Sequence, residues 1–187
     1  QVACWLAYEN DPDVAIPKVV MSSDKVLVSE WLEGTPLSKI IAEGTQEQRN
    51  NAGMRLARFH FTAPERAGLL HADPHPGNFR LLADGRIGVL DFGACNRLPN
   101  GFPEPFKNLL KHALDDDAQA LYDGFKKDGF ILPEVDVDPK LVLEFLVPLV
   151  EPLRTETFKY SREWLRDQSA RVGDPRNPTA KLSLIHI

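Results

Sequence analysis

His71-Ala72-Asp73-Pro74-His75-Pro76-Gly77-Asn78 and, thirteen positions after Asn78, Asp91-Phe92-Gly93 decide how this 187-residue chain is read. Two prolines and a glycine exclude a regular helix or central strand from the first stretch, so 71–78 is a loop. Between the two motifs, 79–82 and 86–90 flank Ala83-Asp84-Gly85, and Asp-Gly is a strong hairpin-turn signal. A hairpin folds the chain back on itself, which brings Asn78 and Asp91 close together. Asp73 lies on the proline-stiffened loop, five positions before Asn78.

An amide oxygen and a carboxylate brought together in this way suit a hard cation such as Mg²⁺, which binds through one or two carboxylates plus substrate phosphates. A nearby carboxylate left free by the metal can accept or orient a hydroxyl proton. Protein kinases divide the work in this manner. The steps of five positions from Asp73 to Asn78 and 18 from Asp73 to Asp91 resemble the kinase pattern. The site residues read this way are Asp73 and His75 as the catalytic pair and Asn78 and Asp91 as metal ligands. Asp-Phe-Gly alone is a weak signal, but joined to His-x-Asp-x-x-x-x-Asn across a hairpin it is a specific one. The competing reading is that Asp73 and Asn78 only cap turns. His71, Asp73 and His75 also alternate like metal ligands, but no further histidine lies nearby except His60 on an expected helix, which disfavours a catalytic zinc. His71 is expected to pack beneath the loop and support its backbone. For His75, facing the phosphates and serving as a structural loop residue both stay open.

Working outward, 16–21 and 26–31 are β-branched runs around Ser22-Ser23-Asp24-Lys25 and predict a hairpin. Glu30-Trp31-Leu32-Glu33-Gly34 follows it, where a kinase hinge offers backbone groups to adenine, so Glu30 and Leu32 are the candidate nucleotide-binding positions. The alternative is a plain strand end and glycine turn. Thr35-Pro36 predicts a helix N-cap and first position with Gly44 as the stop. Thr45 and Gln48 form a capping box for a helix to about His60, with Ala52, Leu56, Ala57 and Phe59 inward. Beyond Pro99, helices are expected over 106–114, 118–127, 141–153 and 158–171, then a loop at 173–178. The layout is α+β.

Composition limits the function class. A net charge of −5 argues against a nucleic-acid partner, though a local anion site is compatible with it. With 43% apolar and 26% charged residues the chain can bury a core and keep an ordinary surface. Two cysteines, Cys4 and Cys95, form no disulfide framework, which favours a reducing compartment. Cys95 reads as a small apolar packing residue rather than a nucleophile. No run approaches the roughly 18 apolar residues of a membrane span, and the nearest, 141–150, is broken by Glu144 and Pro148. The chain opens at Gln1 and enters an apolar, helix-like stretch at 2–7, as if mid-domain, and 182–187 reads as a truncated or non-native tail.

The loop His-Ala-Asp-Pro-His-Pro-Gly-Asn resembles the catalytic loop of the ABC1/UbiB (AarF/ADCK) family. Asp91-Phe92-Gly93-Ala94 with Arg97-Leu98 resembles that family's metal-binding segment, and 29–37 its hinge and following helix. The likeness runs from about Val14 to Pro178. It implies an atypical protein-kinase-like fold, with 1–33 as the end of the N-terminal lobe and hinge and 34–181 as a mostly helical C-terminal lobe. It also implies Mg²⁺ and ATP as cofactors, and a kinase or ATPase role in isoprenoid-quinone biosynthesis or lipid homeostasis. The implied partners are a nucleotide and an isoprenoid lipid or quinone-pathway proteins. The implied location is cytoplasmic and peripheral to an inner membrane. Ala72 stands where protein kinases carry the arginine that pairs with an activation-loop phosphate, and His75 where they carry a lysine beside the transferred phosphate. No Ala-Pro-Glu follows Asp91. These departures disfavour a peptide substrate. Small-molecule phosphotransferases of the aminoglycoside and choline-kinase type share a similar loop and are the alternative, with a non-catalytic nucleotide-binding scaffold as a third. The phosphate-covering loop, strand lysine, partner glutamate and Lys-x-Gly-Gln motif are expected upstream of Gln1, which makes this chain half a nucleotide site.

Overall fold

The structure, a computed structural model, describes residues 1–173. The loop expected after Gly173 and the tail at 182–187 lie outside the described residues. The chain folds as two compact units, Gln1–Phe102 and the segment from Pro103 onward.

In the first unit, helix α1 (Val2–Tyr8) leads into strand β1 (Val14–Ala15), then the antiparallel hairpin β2 (Val19–Ser22) and β3 (Leu27–Ser29). Strand β4 (Thr35–Pro36) and helices α2 (Leu37–Glu43) and α3 (Gln46–Ala67) follow. Strand β5 (Leu69–His71), a 3₁₀ turn (Pro76–Asn78), β6 (Phe79–Leu81), β7 (Ile87–Val89) and β8 (Cys95–Arg97) complete it. One sheet has the order β1-β7-β6-β4, with β1 parallel to β7 and the remaining pairs antiparallel. A second pairs β5 with β8.

Asp84-Gly85 turns the β6–β7 hairpin as its sequence predicts, with Gly85 at φ 87°. Alternation along β6 and β7 points Phe79, Ile87 and Val89 inward, all fully buried beside Phe59 of α3 and Tyr8 of α1. Burying side chains of this size contributes about 1.5–3 kcal/mol each.

Several element boundaries differ from those the sequence predicts. Thr35-Pro36 does not cap α2: it forms the edge strand β4 against Leu81 and Arg80, and α2 begins at Leu37 without a side-chain cap. A residue before proline is pushed to extended backbone, and proline, lacking an N–H, is tolerated at a sheet edge. Helix α3 runs past His60 to Ala67, because Ala52, Phe59, Ala63 and Pro64 continue the buried stripe. It stops where Gly68 adopts φ 63°, a left-handed conformation open to glycine. Ala57, expected inward, is exposed, one position off that stripe.

The second unit is helical: α4 (Glu104–Leu114), α5 (Ala118–Lys127), α6 (Pro139–Val150) running into a 3₁₀ turn (Glu151–Leu153), and α7 (Arg162–Gly173). Leu109, Ala113, Leu121, Val142 and Val150 form its core. Asp116 turns α4 into α5 at φ 57°, and Arg154 grips its carboxylate at 2.6 and 2.8 Å while donating to the Ala113 carbonyl at 3.0 Å. Helix α7 begins at Arg162 rather than 158, because the Ser161 hydroxyl accepts from the Trp164 N–H at 3.0 Å and caps it there. Among the described residues, no helix is long and apolar enough to cross a membrane.

The capping box at the head of α3 is fully made: Thr45 Oγ1 accepts from the Gln48 N–H at 3.2 Å, and Gln48 Oε1 from the Thr45 N–H at 2.8 Å. Thr45→Ala is expected to cost the whole protein about 1 kcal/mol, read as a lowered denaturant midpoint with unchanged slope.

Candidate functional site

Two antiparallel ladders bring the loop at 71–78 beside the segment at 90–94. At one end His71 pairs with Cys95, and the Ala72 N–H donates to the Ala94 carbonyl at 2.9 Å. At the other Phe79 pairs with Val89, and the Leu90 N–H donates to the Asn78 carbonyl at 2.9 Å. Asn78 and Asp91 therefore line one cleft of about 680 Å³, together with Gly77, Phe92, Gly93 and residues of α1 and the β2–β3 hairpin.

Within the loop, hydrogen bonds commit most polar atoms. Asn78 Nδ2 donates to Asp73 Oδ2 at 2.8 Å and to the Asp73 carbonyl at 3.2 Å. Asp73 Oδ1 accepts the His75 N–H at 3.2 Å. With one donor on each oxygen, the ionised Asp73 is favoured: the Asn78 amide, then the His75 N–H, hold its carboxyl below the usual aspartate range. The nitrogen of Asn78 being spent on Asp73, its Oδ1 is the atom left for a cation. Asp91 Oδ1 accepts the Gly93 N–H at 2.7 Å, which leaves Oδ2. A Cβ at residue 93 would stand 3.1 Å from Asp91 Oδ1, so glycine admits this close turn. His75 Nδ1 accepts the Gly77 N–H at 3.1 Å and caps the 3₁₀ turn.

His71 holds the other segment. The imidazole is 4% exposed, and its Nε2–H donates to the Asp91 carbonyl at 2.6 Å. Its ring is wedged against Phe79, His60, Phe92 and Phe59, with centroids 5.3 to 6.0 Å away. The sequence predicts His71 as a support for the 71–78 loop; its side chain instead fixes Asp91, a role visible only once β5 and β8 are paired. Burial of His60 beside it disfavours that ring's charged form.

Glu30 and Leu32 are not among the residues that line the cleft. The Glu30 N–H is spent on the Lys18 carbonyl at 2.9 Å, and a Leu32 methyl lies 3.3 Å from where a Cβ on Gly88 would stand. The cleft's second wall, Val19, Ser22 and Leu27, escapes the sequence because its apolar alternation reads only as a strand pair. Cys95 is half-buried, and desolvation pushes its thiol up, away from a reactive thiolate. Among the described residues, no three His, Cys, Asp or Glu side chains converge as a metal cluster. Asn78 Oδ1 and Asp91 Oδ2 give the cleft an amide oxygen and a carboxylate oxygen, hard ligands that fit Mg²⁺ held jointly with phosphates.

The family model of the ABC1 atypical kinase-like domain matches residues 4–124. Among curated proteins, the chain is 32% identical over 142 residues to the uncharacterized protein slr1919 of Synechocystis, covering 71% of this chain and 24% of that protein. It is 31% identical over 138 residues to the chloroplastic ACTIVITY OF BC1 COMPLEX KINASE 3 of Arabidopsis thaliana, covering 71% of this chain and 19% of that one. Atypical kinase coq-8, mitochondrial, of Caenorhabditis elegans is 26% identical over 126 residues, covering 64% of this chain and 17% of that one. Among solved structures, Rv3197 of Mycobacterium tuberculosis, in complex with erythromycin, superposes with a TM-score of 0.82 at 41% identity, covering 89% of this chain and 43% of that one. The chain thus spans about a quarter or less of these curated relatives.

Asn78→Ala removes the largest stabiliser of ionised Asp73, so the Asp73 carboxyl is expected to move up toward the ordinary aspartate range. In the unaltered protein the ionised form persists below about pH 3.9 and is lost only as pH falls through the lowered value. A carbon NMR titration of the Asp73 carboxyl reads both; no upward movement in the variant would remove the Asn78 bond as its cause.

Proposed function

The chain belongs to the ABC1 atypical kinase-like family and has its kinase-like α+β fold, and on that premise we propose that it contributes the metal-and-phosphate half of a Mg-ATP site. The observation that carries this reading is the shared cleft of Asn78 and Asp91 with Asp73 hydrogen-bonded to Asn78. Asn78 Oδ1 and Asp91 Oδ2 would hold the cation. The chemistry a cation held by these two residues would supply is positive charge against the negative charge of the phosphates. Asp73, already accepting two N–H donors, keeps lone pairs to orient an acceptor hydroxyl or water. His75, exposed on the same loop, would meet a phosphate. His71 acts one step back, since its bond to the Asp91 carbonyl limits where the carboxylate can lie. Glu30 and Leu32 do not line that cleft, so the adenine would have to extend beyond it to meet the Glu30 carbonyl and Leu32.

The activity we propose is phosphoryl transfer or ATP hydrolysis of the ABC1/UbiB type, serving isoprenoid-quinone biosynthesis or lipid homeostasis, with an isoprenoid lipid or quinone-pathway proteins as partners at a membrane surface. The support is the likeness of the 71–78 and 91–98 motifs to that family. A second reading, phosphorylation of a small hydroxylated molecule, is favoured by one observation, the erythromycin bound to the Mycobacterium tuberculosis relative.

Mg²⁺-dependent release of ADP by the whole protein tests the reading. Asp91→Asn is expected to lower turnover by at least about a hundredfold, and rates equal to those of the unaltered protein would defeat the catalytic reading in favour of a nucleotide-binding scaffold. Product analysis separates the acceptors: inorganic phosphate alone marks an ATPase, a phosphorylated lipid or small molecule a kinase.

A further inference from the structure

We propose that His60 is a positioning residue for Asp91: from helix α3 its pinned ring sets the tilt of His71, and His71 sets where the Asp91 segment lies. The inference rests on the Mg-ATP reading above, in which Asp91 holds the cation.

The His71 Nε2–H donates to the Asp91 carbonyl at 2.6 Å. One hydrogen bond fixes a point on the imidazole and leaves the ring able to pivot about it, so the tilt has to come from packing. Phe59, His60, Phe79 and Phe92 enclose the His71 ring, and the first two are consecutive residues of α3. The His60 ring stands edge to face with His71, centroids 5.6 Å apart at 77°, and leans on Phe79 at 5.8 Å. Its own helix holds it there. A carbonyl can only accept, so His60 Nδ1–H donates to the Leu56 carbonyl one turn back, at 2.9 Å. A ring tied to helix backbone is a fixed stop, where a free side chain could yield with its neighbour.

The residue type is a second observation. His60 Nε2 is buried and has no partner among the described residues. Phenylalanine would fill the same space with no polar atom to satisfy, and Phe59, 0% exposed, shows that the cluster accepts one. The bond to Leu56 adds little stability, since that carbonyl already belongs to the α-helical ladder. A buried polar atom left without a partner lowers stability relative to an apolar ring of the same shape. Such local conflicts are expected beside functional sites, and this one abuts the ring that holds Asp91.

His60→Phe keeps a ring and removes the bond that pins it. Three quantities are read on the whole protein: the denaturant midpoint, the carbon shift of the Asp91 backbone carbonyl without nucleotide, and the Mg²⁺ concentration giving half-maximal ADP release at saturating ATP. The expected midpoint is at or above that of the unaltered protein. The Asp91 carbonyl carbon is expected to move upfield as its hydrogen bond from His71 lengthens, and the Mg²⁺ requirement to rise about tenfold. Stability and metal use thus part company, which a merely structural residue would not produce. A lowered midpoint, an unmoved carbonyl signal or an unchanged Mg²⁺ requirement overturns the inference and leaves the Mg-ATP reading standing. Absence of Mg²⁺-dependent ADP release from the unaltered protein overturns both.

Discussion

The chain from Leu69 to Arg97 is tied to itself at two places, by the β5–β8 ladder before the 71–78 loop and by the β6–β7 ladder after it. The loop at 71–78 and the segment at 90–94 are closed off between these ladders and cannot drift apart. Ordering irregular backbone costs about 1–2 kcal/mol per residue, and an exposed loop has little burial of its own to offset that. The ladders, with Phe79 and Val89 fully buried beneath them, provide the offset. His71 adds the cross-link inside the closed region. A buried imidazole must find a partner for its N–H, and the Asp91 carbonyl at 2.6 Å is that partner. The core and the site are therefore one mechanical object: the rings that hold His71 also set where Asp91 lies.

A second consequence is that the polar atoms of the loop are allotted before any ligand arrives. Asn78 gives its nitrogen to Asp73, Asp91 gives one oxygen to the Gly93 N–H, and His75 gives Nδ1 to the Gly77 N–H. Each side chain keeps one uncommitted end. Pre-organised donors and acceptors of this kind need no rearrangement when charge arrives, which is where polar sites gain most of their advantage over water. Gly77 and Gly93 serve the same end, because a side chain at either position would crowd the atoms they hold.

Much of this was legible in the sequence. Asp84-Gly85 marks its turn, Thr45 and Gln48 mark the head of α3, and α5 spans the stretch its pattern predicts. These features depend on neighbours within four residues. The misread boundaries are those where a distant partner competes. Thr35-Pro36 has good capping chemistry, but β6 offers it an edge to pair with. His60 closes a plausible helix, but Phe59 and Ala63 share one buried stripe and carry the helix on to Gly68. Ser161 is the local exception: its hydroxyl caps α7 at the Trp164 N–H three residues on, and Phe158 packs its ring against Trp164 from outside the helix.

The sequence by itself determined the α+β class, the family resemblance and which residue types are available to meet a cation and a phosphate. Those follow from spacing and composition, which are local properties of the chain. Only the tertiary structure decided which atom of each residue is left free, that His71 works on Asp91 rather than on its own loop, and that the β2–β3 hairpin walls the cleft while Glu30 and Leu32 stand outside it. Hydrogen bonds are satisfied by whatever the fold brings within about 3 Å, and those partners are separated by as many as 20 positions along the chain.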